Sequence, residues 1–465
     1  MRIRRLGQGL LAAAVIAPLA VAQAQSQQPT IEELLHRLEQ QEQAIKVLER
    51  RLEIKEETDA TAARANAQVK ASEKGFSLQS ADNSNNIKLR GVLHFDGRDL
   101  LSEDPTIVDQ QFLLRRARPT VEGTLGGIYD FRFTPDFAQG RTVIQDAYVT
   151  ARFKTYFQLT GGKFKAPMGL ERLQSARDIR FVERAYPTQL VTNRDIGLQV
   201  AGNVLDDRLA YQFAFLNGAN DGRSSEDFSD VEVNEDKEWA GRIFAQPFAN
   251  SDSFALRGLG LGVAGSYTSQ EGNATQTLLP QYRTPAQSTF FRYSSGTVAT
   301  GDRTRIAPQF YYYAGRFGLL GEWTESSQDV ARALETGVRS DTIDTTAWQL
   351  AASFFLSGEE AGFRGYKPNS VFSLENGTWG AWEIVARYHE LDVDDAAFDG
   401  GGDSFADPLA SARKASTIGV GLNWYWNQNL KWVINYERTS FDGGAPDGGD
   451  RDDEEAVLTR VAVGF

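Results

Sequence analysis

From Ile87 to the C-terminus, apolar and polar residues exchange places with a period of two. Ile87, Leu89, Leu93 and Phe95 alternate with Lys88, Arg90, His94 and Asp96. Tyr129, Phe131 and Phe133 alternate with Asp130, Arg132 and Thr134, and Ile418, Val420, Leu422, Trp424 and Trp426 with Gly419, Gly421, Asn423 and Tyr425. Such a period marks a strand with one apolar face. The pattern predicts sixteen strands, near 86–99, 108–124, 127–138, 142–153, 157–166, 194–203, 208–217, 237–247, 256–270, 303–314, 316–326, 343–357, 380–392, 413–426, 430–440 and 455–465. Connections after even-numbered strands are mostly short, such as Asp206-Asp207 and Asn427 to Asn429. Those after odd-numbered strands are mostly long: 167–193, 218–236, 271–302, 327–342, 393–412 and 441–454. This asymmetry is expected of an antiparallel barrel crossing an outer membrane. Segment 358–379 breaks the rule and leaves room for a miscounted strand. The last strand carries Val457, Val461, Val463 and Phe465 on one face, and a terminal aromatic of this kind marks a chain for barrel assembly.

Ahead of residue 86 the period lengthens. Ile31, Leu38, Ile45 and Leu52 recur every seven residues, with Leu34 and Leu48 between them, after a Thr30 to Glu33 capping box. This predicts an α-helical coiled coil about three and a half heptads long; the alternative is one amphipathic helix on the barrel rim or plugging it. Arg2, Arg4 and Arg5, the apolar run Leu10 to Val21 and Ala22-Gln23-Ala24 read as an export signal. The expected organisation is a signal peptide over 1–24, a helical periplasmic segment over 25–72 and a linker over 73–85. An all-β, sixteen-stranded antiparallel transmembrane barrel follows over 86–465, in the outer membrane of a Gram-negative cell.

Composition agrees. A mean hydropathy of −0.40 would suit a soluble protein, but a barrel gives the same average because only alternate residues meet lipid. There is no cysteine, which excludes disulfides, thiol chemistry and Cys-ligated metal. The three histidines, His36, His94 and His389, form no metal-spaced pair, and no nucleophile elbow is present. No enzyme activity, metal site, cofactor or nucleic-acid partner is therefore expected. Removing Arg2, Arg4 and Arg5 with the signal takes the formal charge from −13 to −16. The acids, however, cluster in predicted outer loops, among them Glu226 to Asp236, Asp392 to Asp399 and Asp447 to Glu455. Net charge thus says little about the lumen. The clusters are either solvated loop tips or holders of divalent cations at the lipopolysaccharide surface; lipopolysaccharide and outer-membrane lipid are the expected neighbours.

The lumen is judged from the inward parity. On the second strand Leu113, Ala117 and Val121 read as outward, which turns Arg116, Arg118 and Thr120 inward. Arg115 then falls on the lipid parity, where a mid-depth arginine costs about 2–4 kcal/mol. A bulge, a rim position or a subunit interface must shelter it. Arg132, Arg152, Arg242 and Arg305 also fall on polar parities. A ring of guanidinium groups replaces part of an anion's hydration shell and repels cations, and its planar fork suits phosphate oxygens. The alternative is that these arginines pair with Glu122, Asp130, Asp136 and Asp146 and stiffen the wall. The longest basic stretch, after the fifth strand, holds Lys163, Lys165, Arg172, Arg177, Arg180, Arg184 and Arg194. Its apolar residues Met168, Leu170, Leu173, Ile179, Phe181 and Val182 suit a loop folded into the barrel that narrows it. Connection 271–302, with Gln281 to Pro285 and Phe290 to Tyr293, is a second constriction candidate. The expected anion-binding or pore-lining set is Arg115, Arg116, Arg118, Arg132, Arg152, Lys163, Arg177, Arg180, Arg184, Arg242 and Arg305.

Four segments carry a resemblance to a known family: Phe112 to Arg118 (FLLRRAR), Asp146 to Val149 (DAYV), Gly162 to Glu171 (GKFKAPMGLE) and Ser175 to Arg184 (SARDIRFVER). The chain resembles the phosphate- and polyphosphate-selective porins of Gram-negative outer membranes over roughly residues 85–465. The resemblance implies a sixteen-stranded trimeric barrel, a third loop folded inward, and arginines that lead small anions to a constriction. Arg115 and Arg116 match the family's paired arginines beside the anion site, while Arg118 stands where phosphate-binding members can carry an aromatic contact. The expected function is passive, anion-preferring diffusion, with phosphate or polyphosphate among the candidate solutes. The rival is a general or a cation- or sugar-selective porin whose coil also anchors the envelope.

Overall fold

The computed structural model describes residues 30–65, 67–72, 75–101, 110–222, 236–335, 337–364 and 366–465. The expected signal peptide lies outside them, as does most of the Glu226 to Asp236 acidic cluster. The chain divides into two units, residues 1–66 and 67–465. In the first, helix α1 (Ile31–Ala65) carries Ile31, Leu34, Leu38, Ile45, Leu48 and Leu52, all exposed.

The second unit starts as sheet earlier than the pattern suggests. Strands β1 (Gln68–Ser72) and β2 (Gly75–Gln79) form a hairpin where a fading helix and a linker were expected. The alternation of Phe76 and Leu78 with Ser77 and Gln79 is too short to read alone. It becomes strand because β2 pairs with the first residues of β3 (Asn86–Leu100), Phe76 opposite Leu89 and Leu78 opposite Ile87.

The barrel continues through β4 (Gln110–Leu125), β5 (Tyr129–Asp136), β6 (Val143–Lys154), β7 (Phe157–Phe164), β8 (Asp195–Val204), β9 (Leu209–Leu216), β10 (Glu238–Ala245) and β11 (Leu259–Glu271). A short hairpin, β12 (Gln281–Arg283) and β13 (Thr289–Arg292), forms a separate sheet. The wall resumes with β14 (Thr297–Ala314), β15 (Phe317–Leu334), β16 (Gly337–Phe355), β17 (Ala381–Val393), β18 (Ala412–Tyr425), β19 (Leu430–Gly443) and β20 (Glu454–Gly464). Each wall strand pairs antiparallel with the next, and β20 pairs with β3 to close a sixteen-stranded barrel. Closure pairs the first wall strand with the last, so the backbone groups at membrane depth find their partners within the wall. Leu93, Phe95, Val149, Leu198, Ile243 and Ile418 point outward and are exposed, as alternation requires. Aromatic residues gather at both ends of the wall. Trp382 stacks on Trp424 at 4.9 Å near the short turns, and Phe215 lies 4.4 Å from Trp239 near the long loops.

The closing seam uses Phe465. Its backbone exchanges two 3.1 Å hydrogen bonds with Gly91, and its ring covers that glycine so closely that a Cβ there would meet it at 2.8 Å. Phe76 of the added hairpin meets the same ring edge-on at 6.4 Å.

Sixteen wall strands stand as expected, and among the described residues of 358–379 no strand is hidden; they belong to a folded connection over 356–380. The expected long outer loop at 327–342 is instead the tip of a hairpin in which β15 and β16 stay paired up to Leu334 and Gly337. The reason is packing: Val330, Ile343 and Ala347 bury themselves in a cluster with Tyr282, Phe290, Phe291, Phe405 and Phe441. Hairpin β12–β13 and the inserted 165–194 loop fill this side of the lumen, against β14 to β19. The side lined by β3 to β8 stays open.

Candidate functional site

The 165–194 connection lies inside the barrel, anchored to the filled side by a series of bonds. The backbone N–H groups of Leu170 and Glu171 donate to Glu322 at 2.6 and 3.3 Å. Val182 N donates to Asn435 Oδ1 at 2.7 Å, Lys431 Nζ to the Ile179 carbonyl at 2.7 Å, and Arg387 Nη1 to the Glu183 carbonyl at 2.8 Å. Met168, Leu170, Ile179, Phe181 and Val182 are buried, which is what their apolar character called for inside a polar lumen. The second constriction candidate docks on this loop: Gln189 exchanges bonds of 2.6 and 2.9 Å with the Arg283 backbone.

Among the described residues two sizeable cavities lie on the open side, of about 620 Å³ and about 1050 Å³. The first is bordered by Arg98, Arg115, Arg116, Arg118, Arg141, Arg172, Arg184, Arg194 and Arg283, against Asp136, Glu183 and Asp221. It opens between outer-loop segments, so we term it the outer cavity. The second, inner cavity is bordered by Arg90, Arg118, Arg132, Lys165, Arg177, Arg194, Arg364 and Lys367, against Glu122, Asp146 and Asp178. Among the described basic residues, Arg118 and Arg194 border both and so mark the neck between them.

A bulge in β4 builds the paired arginines. His94 faces Arg116 and Phe95 faces Leu114, so Arg115 is the extra residue with no partner across the ladder. The bulge re-aims its side chain from the lipid side to the lumen. There Nε donates to Glu183 Oε1 at 2.7 Å and Nη2 to Oε2 at 3.2 Å. The same bulge overturns the outward assignment of Leu113. Parity flips on passing it, so Phe112 and Leu114 face out, exposed, and Leu113 borders the outer cavity. Arg116 Nη1 lies 3.0 Å from His94 Nδ1.

The expected residues thus divide. Arg115, Arg116 and Arg184 border the outer cavity, Arg132 and Arg177 the inner, and Arg118 both. Five border neither. Arg305 is buried in the filled half, bonded to Asp221 at 2.7 Å and Glu238 at 2.6 Å. Arg180 is drawn the same way, to Glu383 at 2.7 Å and the Gly362 carbonyl at 2.9 Å. Arg242 donates twice to Gln309 Oε1 at 3.1 Å and lies over the Phe244 ring. Arg152 sits near a turn, 2.6 Å from Asp130, and Lys163 is buried within β7. Pairing with the wall acids is realised at all four: Glu122 with Arg132, Asp130 with Arg152, Asp136 with Arg118 at 2.6 Å, and Asp146 with Arg194 at 2.9 Å. Among the outer-loop acids, Asp392 pairs with Arg413 and Asp453 with Arg438.

Two groups of the inserted loop are shifted strongly by their surroundings. Burial alone would raise the Glu183 carboxyl, but Arg115, Arg98 and Arg116 outweigh it and hold the group well below the ordinary carboxylate range. Burial and then the like charges of Arg184 and Arg194 pull Arg172 below the usual arginine range. Parity reasoning missed Arg98, although it shares the inward side of β3 with His94 and Asp96. Nothing in the pattern singled out Arg141, Arg364 or Lys367.

A closed sixteen-stranded barrel with an apolar outer wall and an open interior narrowed by an inserted loop is the architecture of an outer-membrane porin. A profile of the family described as phosphate-selective porin O and P matches residues 87–465, and the chain belongs to that family. It is 24% identical to Porin O of Pseudomonas aeruginosa over 423 residues, 84% of this chain and 91% of that protein. Its fold is similar to the outer membrane channel DcaP of Acinetobacter baumannii, with a TM-score of 0.51 and 10% identity over 85% of this chain and 99% of that one. It is also similar to Salmonella typhi OmpF in complex with daunomycin, with a TM-score of 0.50 and 11% identity over 83% and 99%. The protein is a channel of the outer membrane and not an enzyme.

Proposed function

We propose that this porin passes small anions in preference to cations, phosphate and polyphosphate among them, along the arginines of the two cavities. The observation that carries the reading is the charge of the path. Nine arginines against three carboxylates border the outer cavity, and two arginines mark the neck to the inner one. Fixed guanidinium groups repel cations and substitute for the water an anion sheds. Arg115, Arg116, Arg118 and Arg184 are the anion-contacting residues of the outer cavity in this reading, and Arg132 and Arg177 those of the inner. Phosphate is favoured within the class because planar forks match its oxygens two at a time, and because the family's description is phosphate-selective. The lipopolysaccharide leaflet would surround the outer rim. The test is the reversal potential of the purified porin in planar bilayers under a potassium chloride gradient. The sign for chloride is expected, with phosphate and pyrophosphate reducing the chloride current; the sign for potassium would refute the reading.

We also propose that α1 winds with the α1 helices of two further copies into a coiled coil that helps hold a trimer. The support is the exposed heptad stripe of Ile31, Leu38, Ile45 and Leu52, which a lone helix would leave in water. Replacing Leu38 and Ile45 together by aspartate is expected to lower the temperature at which oligomers dissociate in detergent. An unchanged dissociation temperature would remove α1 from the assembly.

A further inference from the structure

We propose that Glu183 sets the pore's affinity for anions, as a resident carboxylate that occupies the strongest oxyanion position in the outer cavity and so keeps permeating anions weakly held. The inference rests on the anion-porin reading above. Glu183 is anchored on one side of the lumen and charged on the other. Its carbonyl oxygen accepts from Arg387 Nη1 at 2.8 Å on the filled side. Its side chain reaches the opposite wall, where Oε1 accepts from Arg98 Nη2 and Arg115 Nε, each at 2.7 Å. Oε2 accepts from Arg115 Nη2 at 3.2 Å, and Arg460 Nη2 lies 3.8 Å from Oε1. Guanidinium forks converging on one planar anion form the cradle that a carboxylate or phosphate solute would need. The other two carboxylates of the cavity differ: Asp136 pairs with Arg118 on the adjoining strand, and Asp221 with Arg305 in the filled half. Glu183 alone is carried in by the inserted loop.

A conducting site must bind well enough to admit the ion and weakly enough to release it. With an uncharged side chain at 183, the charges of Arg98 and Arg115 would stand uncompensated, and an oxyanion would be held beside them. With the carboxylate in place, an arriving anion meets guanidinium groups whose charge is partly compensated and whose best donors are taken. It exchanges past them instead of settling.

The competing role is a strut that only fixes the width of the path. Glu183→Gln separates the two, because it keeps the length and an accepting oxygen while removing the charge. The concentration of inorganic phosphate that halves the chloride current is expected to fall about tenfold, the equivalent of one charge-assisted hydrogen bond. The size of the largest neutral polyethylene glycol that enters is expected to stay the same. A wider size limit with unchanged phosphate block would establish the strut and overturn the proposal, as would no change in either. A poorly inserting variant is tested in detergent by thermal unfolding with rising phosphate. Phosphate is expected to restore more stability to E183Q than to the wild type, since an added oxyanion compensates the guanidinium charge that the amide leaves bare; equal gains overturn the proposal. Wild-type reversal potentials run alongside. A cation-selective wild type refutes the anion-porin reading itself, whereas an anion-selective wild type with an unaltered E183Q refutes only the role of Glu183.

Discussion

Neutralising the neck with Arg118→Gln and Arg194→Gln together is expected to lower the anion-to-cation permeability ratio by at least about tenfold. Both side chains border the outer and inner cavities, so an ion passing between them meets both charges. A unit charge about 10 Å from the ion contributes roughly 1.5 kcal/mol at an effective dielectric constant near 20, and about 1.4 kcal/mol is tenfold. The effect acts on both sides of the ratio. Asp136 and Asp146 lose their partners, so the neck stops attracting anions and starts to attract cations. Salt screening trims the figure but leaves its sign. Reversal potentials of the double variant check it. The informative control is Arg305→Gln, which removes one such charge from the filled half, where Asp221 and Glu238 surround it. That change is expected to cost about 3–5 kcal/mol in stability by uncovering buried acids and, with only Asp221 of them bordering the outer cavity, to shift selectivity much less than the neck variant does. If R305Q shifts the ratio as far as the neck variant does, the division of the lumen into a filled and a conducting half is wrong.

Most of the wall was legible because its physics is local. A strand between lipid and lumen must alternate, so Ile418 to Trp426 names β18 without knowledge of its neighbours. Loop structure depends on what lies across the barrel, and here the pattern gave less. Val330 and Ile343 extend β15 and β16 only because Phe291 and Phe405 arrive from distant connections to cover them. Hairpin β1–β2 exists because the start of β3 projects past Phe465 and offers an unpaired edge. The arginine site was half legible for the same reason. Parity separates inward from outward, and it required that something shelter Arg115. A bulge does so, and by flipping the register it also turned Leu113 inward. What parity lacks is a second distinction, between an inward side chain that meets solvent and one that meets the inserted loop. Arg118 and Arg305 look equivalent along their strands, yet one stands at the neck and the other is sealed against Thr192 and Ala219.

The inserted loop itself is most exposed to failure at Glu383. This buried carboxylate on β17 accepts from Arg180 Nε at 2.7 Å, Tyr425 Oη at 2.5 Å and Asn423 Nδ2 at 3.1 Å. Arg180 in turn donates to the Gly362 carbonyl of the 356–380 connection, so one ion pair ties both inward-folded segments to the wall. Glu383→Ala strands the Arg180 charge in a buried site, and breaking such a pair costs about 3–5 kcal/mol. Relief is available only if Arg180 swings toward solvent and carries Ile179 and Phe181 with it. The expected result is therefore a lower unfolding temperature together with a larger single-channel conductance and weaker anion preference, because Arg172 and Arg184 leave their places at the outer cavity with the loop. The measured pair matters more than either value. A destabilised E383A whose conductance is unchanged would mean that Glu322, Asn435 and Lys431 hold the loop without it. A destabilised E383A with a wider, less selective pore would mean that the constriction is set by charge pairing across the lumen, which is also what lets the loop's own carboxylate at 183 face the arginines of the opposite wall.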